Sequence, residues 1–124
     1  MKFYICEKCN KIFAFLQEEE APLQCAGEEV KELVPHTKDA GNEKHLPVVE
    51  VNGNIVTVKV GSIEHPMLDE HFINWVALET KQGNQRKELK PGQKPEVHFA
   101  IVEGDEVVAA YEYCNLHGLW KTTL

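Results

Sequence analysis

The sequence predicts an all-β fold, an immunoglobulin-like β-sandwich preceded by a small N-terminal β domain. Short runs alternate apolar and polar residues, as strands with one buried face do. Turn-forming residues separate these runs, and no stretch of the 124 residues has a convincing helical spacing. Several short strands joined by turns are typical of a two-sheet sandwich.

Residues 1–36 differ from the rest of the chain and form the predicted first domain. They hold three of the four cysteines and one short apolar run, from Ile12 to Leu16. A segment of this size buries little apolar surface, so it usually needs a metal, a disulfide or a neighbour to stay folded. The Cys6-Glu7-Lys8-Cys9 spacing favours metal or redox chemistry over a disulfide scaffold.

Residues 37–124 form the predicted second domain, which begins with a polar linker over residues 37–44. Asn52-Gly53 is a strong hairpin signal. The alternation that follows, from Val56 to Val60, predicts a strand with one inward face. Further strands are predicted at residues 73–78, 97–102 and 107–111.

The composition excludes several partners. The chain carries 13 basic and 20 acidic side chains, a formal net charge of −7. No run concentrates Lys or Arg, so no nucleic-acid partner is predicted. No stretch is long and apolar enough to cross a bilayer, so no membrane partner is predicted. The first residues lack the apolar core of a signal peptide, and the predicted location is the cytoplasm.

Five candidate metal ligands stand in predicted loops or at strand ends. His45 precedes a strand, His65 and His71 lie between strands, and Cys114 and His117 follow the last long strand. Loop residues at strand ends can converge at one end of a sandwich.

Four imidazoles and one thiolate exceed the four ligands of a structural zinc site. They leave one position of a six-coordinate metal open. Iron, copper and zinc all accept imidazole, and a thiolate raises electron donation to the metal. The open position is one where a small oxygen species could bind and take an electron.

Several separated motifs, in order along the chain, resemble the superoxide reductases. These enzymes are called desulfoferrodoxins when an extra iron-binding domain precedes the sandwich. The resemblance implies an immunoglobulin-like sandwich that binds one mononuclear non-haem iron per chain and reduces superoxide to hydrogen peroxide. The motifs are Glu43-Lys44-His45-x-Pro47, the run from Val60 to Met67, His71, Trp75, Leu89-Lys90-Pro91-Gly92 and the run from Tyr113 to Trp120.

The same resemblance implies a role for each residue of the centre. Glu43 takes the place of the carboxylate that occupies the sixth position in the resting ferric state. Lys44 takes the place of the lysine that attracts superoxide and assists the bound peroxide, and a local cation would offset the net negative charge. The family implies re-reduction by rubredoxin or a similar small carrier, and we expect a homo-oligomer, a dimer. The implied ligands are four equatorial histidines, His45, His65, His71 and His117, and one axial thiolate, Cys114.

The first domain departs from the family pattern of one spaced and one adjacent cysteine pair. Cys6 and Cys9 match the spaced pair, but Cys25 is followed by Ala26 where a second cysteine belongs. Three thiolates cannot make a four-thiolate iron centre, so we predict a degenerate desulforedoxin-like domain without a second iron. A zinc site completed by His36 and a metal-free packing or dimerisation element are the two alternatives.

Three other function classes compete with the reductase. A cupredoxin-type carrier commonly has an axial Met after its final His, whereas Met67 precedes His117 by fifty residues. A zinc hydrolase would need fewer ligands and a carboxylate base, a role open to Glu43. A metal-storage or sensing module would not need small-molecule access. Outside the ligand set, His98 is interpreted as a surface or packed residue, and Trp120 as a core or pocket-wall aromatic.

Overall fold

The computed structural model of the chain describes residues 1–17, 23–39 and 44–124. The chain divides into two compact units, Met1–Val34 and Pro35–Leu124. Every regular element in the described ranges is a strand. None of the described residues belongs to a helix with the length and apolarity that a bilayer crossing requires. The predicted all-β class is confirmed.

The first unit contains five short strands. They are β1 (Phe3–Cys6), β2 (Lys11–Phe13), β3 (Gln24–Cys25), β4 (Glu28–Glu29) and β5 (Lys31–Leu33). β1 is the middle strand of an antiparallel sheet with β2 and β5, and β3 pairs with β4 in a separate hairpin. Phe3 and Cys6 are the buried residues among those described in this unit, so its apolar core is small.

The second unit contains seven strands in two antiparallel sheets. They are β6 (Pro47–Asn52), β7 (Ile55–Val60), β8 (Ile73–Thr80), β9 (Gly83–Glu88), β10 (Glu96–Ala100), β11 (Val107–Cys114) and β12 (Gly118–Thr123). One sheet has the order β10-β7-β6 and the other β12-β11-β8-β9. Val58 and Phe99 of the first sheet share one apolar core with Leu78 and Ala110 of the second. The predicted sandwich is therefore confirmed.

The sequence pattern explains the order of the strands. In β7, Val56, Val58 and Val60 are buried while Lys59 is exposed, which is the alternation expected of a strand with one inward face. The central strands β8 and β11 are buried over most of their length, and the edge strand β9 is exposed throughout. The hairpin predicted at Asn52-Gly53 joins β6 to β7, and Gly53 has a φ of 63°.

Strand register brings five strand ends together, two at one end of the first sheet and three at one end of the second. Pro47 at the start of β6 pairs with Val60 at the end of β7. Cys114 at the end of β11 pairs with Ile73 at the start of β8 and with Gly118 at the start of β12. Three segments therefore attach at neighbouring strand ends: the one that precedes β6, the one between β7 and β8, and the one between β11 and β12.

Candidate metal centre

Four histidine rings in the second unit form a closed square. The ring centroids of His45 and His65 are 4.9 Å apart, those of His65 and His71 4.7 Å, those of His71 and His117 5.0 Å, and those of His117 and His45 4.8 Å. Neighbouring rings meet at 76–85°. With the sulfur of Cys114, one ligand atom from each side chain lies within 4.8 Å of all the others.

Three chain segments supply these side chains, each beside the end of a strand. His45 lies just before β6, His65 and His71 lie between β7 and β8, and His117 lies in the turn from β11 to β12. Cys114 is the last residue of β11 and is fully buried. The structure thus brings all five sequence-predicted ligands together at one end of the sandwich.

The free ring nitrogens identify the donor atoms. Nδ1 of His65 hydrogen-bonds the carbonyl oxygen of Pro66 at 2.7 Å, so it carries the proton and leaves the Nε2 lone pair. Nε2 of His65 and Nε2 of His71 are buried, and no described residue gives either a hydrogen-bond partner. Nε2 of His45 lies 3.0 Å from Nδ1 of His117. Unpartnered buried nitrogens call for an occupant, and a metal ion fits this donor set.

Burial keeps three of the rings in the neutral form that binds metal. Burial is the largest cause of a lowered pKa for His45, His65 and His71, and in His65 the pKa falls to about 4. The other histidines of the square lower these pKa values further, because a second positive charge in the group is unfavourable.

Burial and hydrogen bonding shift the pKa of the Cys114 thiol in opposite directions. Burial raises the pKa of Cys114, whereas the backbone amides of Leu116 and His117 lower it by hydrogen bonding to the sulfur. The sulfur lies 3.7 Å from Nδ1 of His117. Amides that already point at the sulfur favour its anionic form once a cation arrives, so the site is suited to a thiolate ligand.

Asp39 fixes the orientation of His45, and sequence reasoning missed it. Its carboxylate accepts the backbone N–H groups of His45 at 3.3 Å and Leu46 at 3.1 Å, and it lies 3.7 Å from Nδ1 of His45. A carboxylate on the outer nitrogen directs Nε2 toward the centre. Asp39 lies in the stretch that the sequence analysis interpreted as a linker. Its position six residues before the candidate ligand His45 is the one feature of the sequence that could have indicated this role.

Trp120 is more than a pocket wall. Its indole stacks on His45 with 4.5 Å between ring centroids. It also meets the ring of His36 in a tilted contact with 4.6 Å between centroids. Its Nε1–H donates to the carbonyl oxygen of His117 at 3.2 Å. His36 also pairs with Trp120 through a β-bridge. Trp120 therefore positions two of the candidate ligands at once.

Asn115 joins the two loops that carry His71 and His117. Its Oδ1 accepts the backbone N–H of Phe72 at 2.9 Å, and its Nδ2 donates to the carbonyl oxygen of Glu70 at 3.0 Å. These bonds bracket His71 from both sides. Sequence reasoning gave Asn115 no role, because nothing in the sequence reveals that the two loops meet.

The two predicted catalytic residues precede His45. Glu43 lies outside the described residues. Lys44 is half-buried, and its charge is one of the causes that lower the pKa of His71, after burial and His117. Gly61, with a φ of 80°, holds this segment closely: a Cβ there would come within 2.6 Å of the Lys44 carbonyl. The backbone N–H of Gly61 also donates a hydrogen bond to the carbonyl oxygen of Leu46 at 3.1 Å.

A second group of metal-binding side chains lies in the first unit. The sulfurs of Cys6, Cys9 and Cys25 lie within 4.8 Å of one another. Hydrogen bonds with the side chains of Cys25 and Cys9 lower the pKa of Cys6, whereas the corresponding bonds with Cys9 and Cys6 raise the pKa of Cys25 to about 12. The three thiols therefore do not share one protonation behaviour.

His98 lies apart from both groups. It is exposed on β10, where its Nδ1 lies 2.9 Å from the Thr57 hydroxyl and its Nε2 lies 3.4 Å from the Glu96 carboxylate. Its interpretation as a surface residue agrees with these contacts.

Comparison with known proteins places the chain among relatives of similar length. The desulfoferrodoxin family model matches residues 37–123. A desulfoferrodoxin from Nitratidesulfovibrio vulgaris is 43% identical over 120 residues, which cover 97% of this chain and 94% of the relative. A desulfoferrodoxin from Syntrophotalea carbinolica is 42% identical over 122 residues, covering 98% and 95%.

Solved structures agree with the sequence relatives. The superoxide reductase from Treponema pallidum matches with a TM-score of 0.81 and 41% identity, covering 98% of this chain and 96% of that one. A one-iron superoxide reductase from Giardia intestinalis matches with a TM-score of 0.58 and 31% identity, covering 67% and 98%. The family match over most of the chain, with these identities, shows that the chain belongs to the desulfoferrodoxin family.

Proposed function

We propose that this chain is a superoxide reductase, which reduces superoxide to hydrogen peroxide at one mononuclear non-haem iron. The observation that carries the proposal is the square of four imidazoles with a buried thiol, whose ligand atoms all lie within 4.8 Å of one another. The proposed ligands are His45, His65, His71, His117 and Cys114. The relatives named superoxide reductase support the same activity.

The five donors match iron chemistry with a vacant coordination position. Four imidazoles and one thiolate leave one of six positions for a small molecule. When bound, the iron supplies the single electron that superoxide takes up, together with two protons, to become hydrogen peroxide. The hydrogen bonds of Asp39, Trp120 and Asn115 keep the donors in place, so little reorganisation is needed when the oxidation state changes.

Lys44 is proposed to attract the anionic substrate. The chain has a formal net charge of −7, so the general field repels superoxide. A cation beside the centre creates a local region of opposite sign and raises the encounter rate. A Cβ at position 61 would come within 2.6 Å of the Lys44 carbonyl, so only glycine there lets the Lys44 backbone lie this close to the end of β7.

Solvent is the proposed source of the protons. His45 and His65 are buried, whereas His117 is exposed, so one side of the centre is open to water. Water and the Lys44 ammonium can both deliver protons there. Prompt protonation releases the product as hydrogen peroxide with the O–O bond intact.

Glu43 is proposed to reach the iron in the resting ferric state. Its place beside Lys44 and His45 in the sequence supports this role. Glu43→Ala should change the optical spectrum of the ferric protein while leaving the encounter rate with superoxide nearly intact. A spectrum identical to that of the unaltered protein across the pH range would exclude contact between Glu43 and the metal.

A small electron carrier of the rubredoxin kind is the proposed donor, because each turnover consumes an electron that the chain does not store. We also propose a homodimer and a single iron per chain. Leu16 and Val34 are exposed apolar side chains that a second subunit could cover. Sedimentation analysis of the purified protein measures the oligomeric state.

Metal analysis combined with a superoxide-consumption assay tests the proposed function. We expect one iron per chain, a thiolate-to-iron charge-transfer band in the oxidised protein, and consumption of superoxide that stops when the reductant is exhausted. Bound copper would favour a cupredoxin-type carrier. Bound zinc without superoxide consumption would favour a hydrolase or a storage protein. Either result would refute the reductase.

A further inference from the structure

The three cysteines of the first unit form a compact thiol cluster. Cys6 ends β1, Cys9 lies in the turn from β1 to β2, and Cys25 ends β3. The sulfurs of Cys9 and Cys25 are 3.1 Å apart, and all three cysteines are free thiols. Cys6 is buried while Cys9 and Cys25 are half-buried. Two separate turns thus direct three soft donors at one point.

Ala26, the residue that follows Cys25, supplies no donor side chain to this cluster. Ala26 has a φ of 54°, and its methyl group has no atom that can bind a metal. Its carbonyl oxygen accepts a hydrogen bond from Nζ of Lys8 at 3.4 Å. Among the residues that the structure describes, no further His, Cys, Asp or Glu joins the three sulfurs, so a four-coordinate ion held by them has one position for an external ligand.

We propose that Cys6, Cys9 and Cys25 bind Zn²⁺ as a three-thiolate site whose fourth ligand is an exchangeable water. Thiolates select soft ions such as Zn²⁺ and Cu⁺, and zinc accepts three protein ligands plus water in tetrahedral geometry. Three thiolates leave one negative charge on a zinc site and two on a copper(I) site. Zinc therefore leaves the smaller negative charge on the three-thiolate cluster, so zinc is the better match. The proposal does not rest on the superoxide reductase activity.

Zinc binding would also stabilise the first unit. Each thiol proton passes to solvent as its sulfur binds, and no electron is transferred. Since Phe3 and Cys6 are the buried residues among those described there, apolar packing contributes little, and a bound ion would supply much of the folding free energy. Hydrogen exchange in β1, β2 and β5 should slow when zinc binds.

The test uses the full chain, with iron already loaded and the thiols kept reduced without oxygen. Zn²⁺ is titrated against a chromophoric chelator, and zinc and iron per chain are measured together. We expect one zinc per chain with the iron retained. Cys25→Ser, at a half-buried position, should lower the zinc affinity by at least about 100-fold, because one of three donors is lost. Glu7→Gln, an exposed change in the same unit, should leave the zinc affinity unchanged.

Ala26→Cys provides the complementary test, in which zinc affinity should increase. A fourth thiolate should replace the water, tighten zinc binding by at least about tenfold and strengthen the sulfur-to-metal absorption of a Co²⁺-substituted sample. Unchanged affinity in Ala26→Cys would show that this position does not face the open coordination site. Undiminished zinc binding in the Cys9→Ser, Cys25→Ser double variant would overturn the proposal. So would a reduced protein that takes up no zinc but forms a Cys9–Cys25 disulfide on mild oxidation.

Discussion

The two cysteine-containing clusters of this chain differ in how far the fold supports them. In the second unit, Cys114 and His65 are buried, and Asp39, Trp120 and Asn115 hold the flanking segments by hydrogen bonds and stacking. In the first unit, three thiols lie on two short turns of a unit with a small apolar core. One cluster is built into a sandwich, and the other is attached to short hairpins.

This difference separates the number of donors from the organisation around them. A supported centre keeps its donors in place without the ion, so most of the binding free energy is available for metal selectivity and tuning. A weakly supported cluster must spend binding free energy on ordering its own chain. We therefore expect the second unit to be folded before it binds metal, and the first unit to depend on the metal.

The largest effect is expected from Cys114→Ser. A serine hydroxyl does not replace the electron donation of a thiolate, so the charge-transfer band should disappear. The superoxide reduction rate should fall by more than about 100-fold, which exceeds the usual effect of changing a residue that only orients a ligand. Stopped-flow kinetics and an optical spectrum measure both. The zinc content of the three-cysteine cluster should not change, and Cys25→Ser should show the reverse pattern. Loss of both metals in either variant would mean that the clusters are not independent.

A smaller effect is expected from Asp39→Asn. The backbone N–H groups of His45 and Leu46 now share the two oxygens of the Asp39 carboxylate. An asparagine would replace one of these oxygens with an N–H₂ group, which cannot accept a hydrogen bond. His45 would then be less well oriented, and the iron affinity should fall by about 10–100-fold. Iron retention against a chelator measures this. Asp105→Asn is the matched control. The Asp105 carboxylate also accepts hydrogen bonds from two backbone N–H groups, those of Gln82 and Glu106, but it lies in the loop between β10 and β11. Equal iron loss in both variants would indicate a general effect on stability.

The strands that sequence patterns predicted were those with one buried face or two. The alternation from Val56 to Val60 identified β7, and the apolar runs identified β8 and β11. The edge strand β9 was missed, because every one of its residues is exposed and no period of two appears. Strand β12 was also missed, since its burial depends on pairing with β11 rather than on its own pattern.

The ligand set was predictable only in combination. No single histidine indicates a metal site, and the ordered motifs of a known family supplied the selection. Asp39 could not be predicted, because its hydrogen bonds to His45 and Leu46 depend on how a polar stretch folds back on itself. The link that Asn115 makes between two loops depends on the register of β11 against β8, which is a long-range property.

Lys44→Ala should reduce the rate of superoxide capture by about tenfold, at the low end of electrostatic steering. The dependence of that rate on ionic strength should weaken as well, because a local attractive charge is lost. Lys59→Ala is the control, since Lys59 is an exposed lysine that pairs with Glu50 on the sheet surface. Lys44→Arg should recover most of the rate. An unchanged rate at low salt would remove Lys44 from the proposed mechanism.

The smallest effect concerns the stability of the metal-free second unit at mildly acidic pH. Burial lowers the pKa of His65 from 6.5 to about 4. The unfolded chain therefore takes up a proton at a higher pH than the folded chain does, and the stability from His65 is fully present above about pH 6.5 and lost as the pH falls toward 4. Between about pH 7 and pH 5.5, this one group should lower the free energy of unfolding by about 1 kcal/mol.

Urea unfolding of the apoprotein at several pH values measures this slope. His65→Gln removes the titrating group, so the loss of stability between about pH 7 and pH 5.5 should be smaller in the variant than in the unaltered protein by about 1 kcal/mol. The pKa values of His45 and His71 are also lowered by burial, so these two rings contribute in the same direction as His65. Burial raises the pKa of Glu112, so Glu112 contributes in the opposite direction in both proteins. His98→Gln alters an exposed histidine on β10 and should leave the slope as it is. Because the three-cysteine cluster contains no histidine, a double Cys9→Ser, Cys25→Ser variant should also keep the full slope. A slope unaffected by His65→Gln would show that the ring is solvated in the apoprotein and that the supported centre opens when its metal is removed.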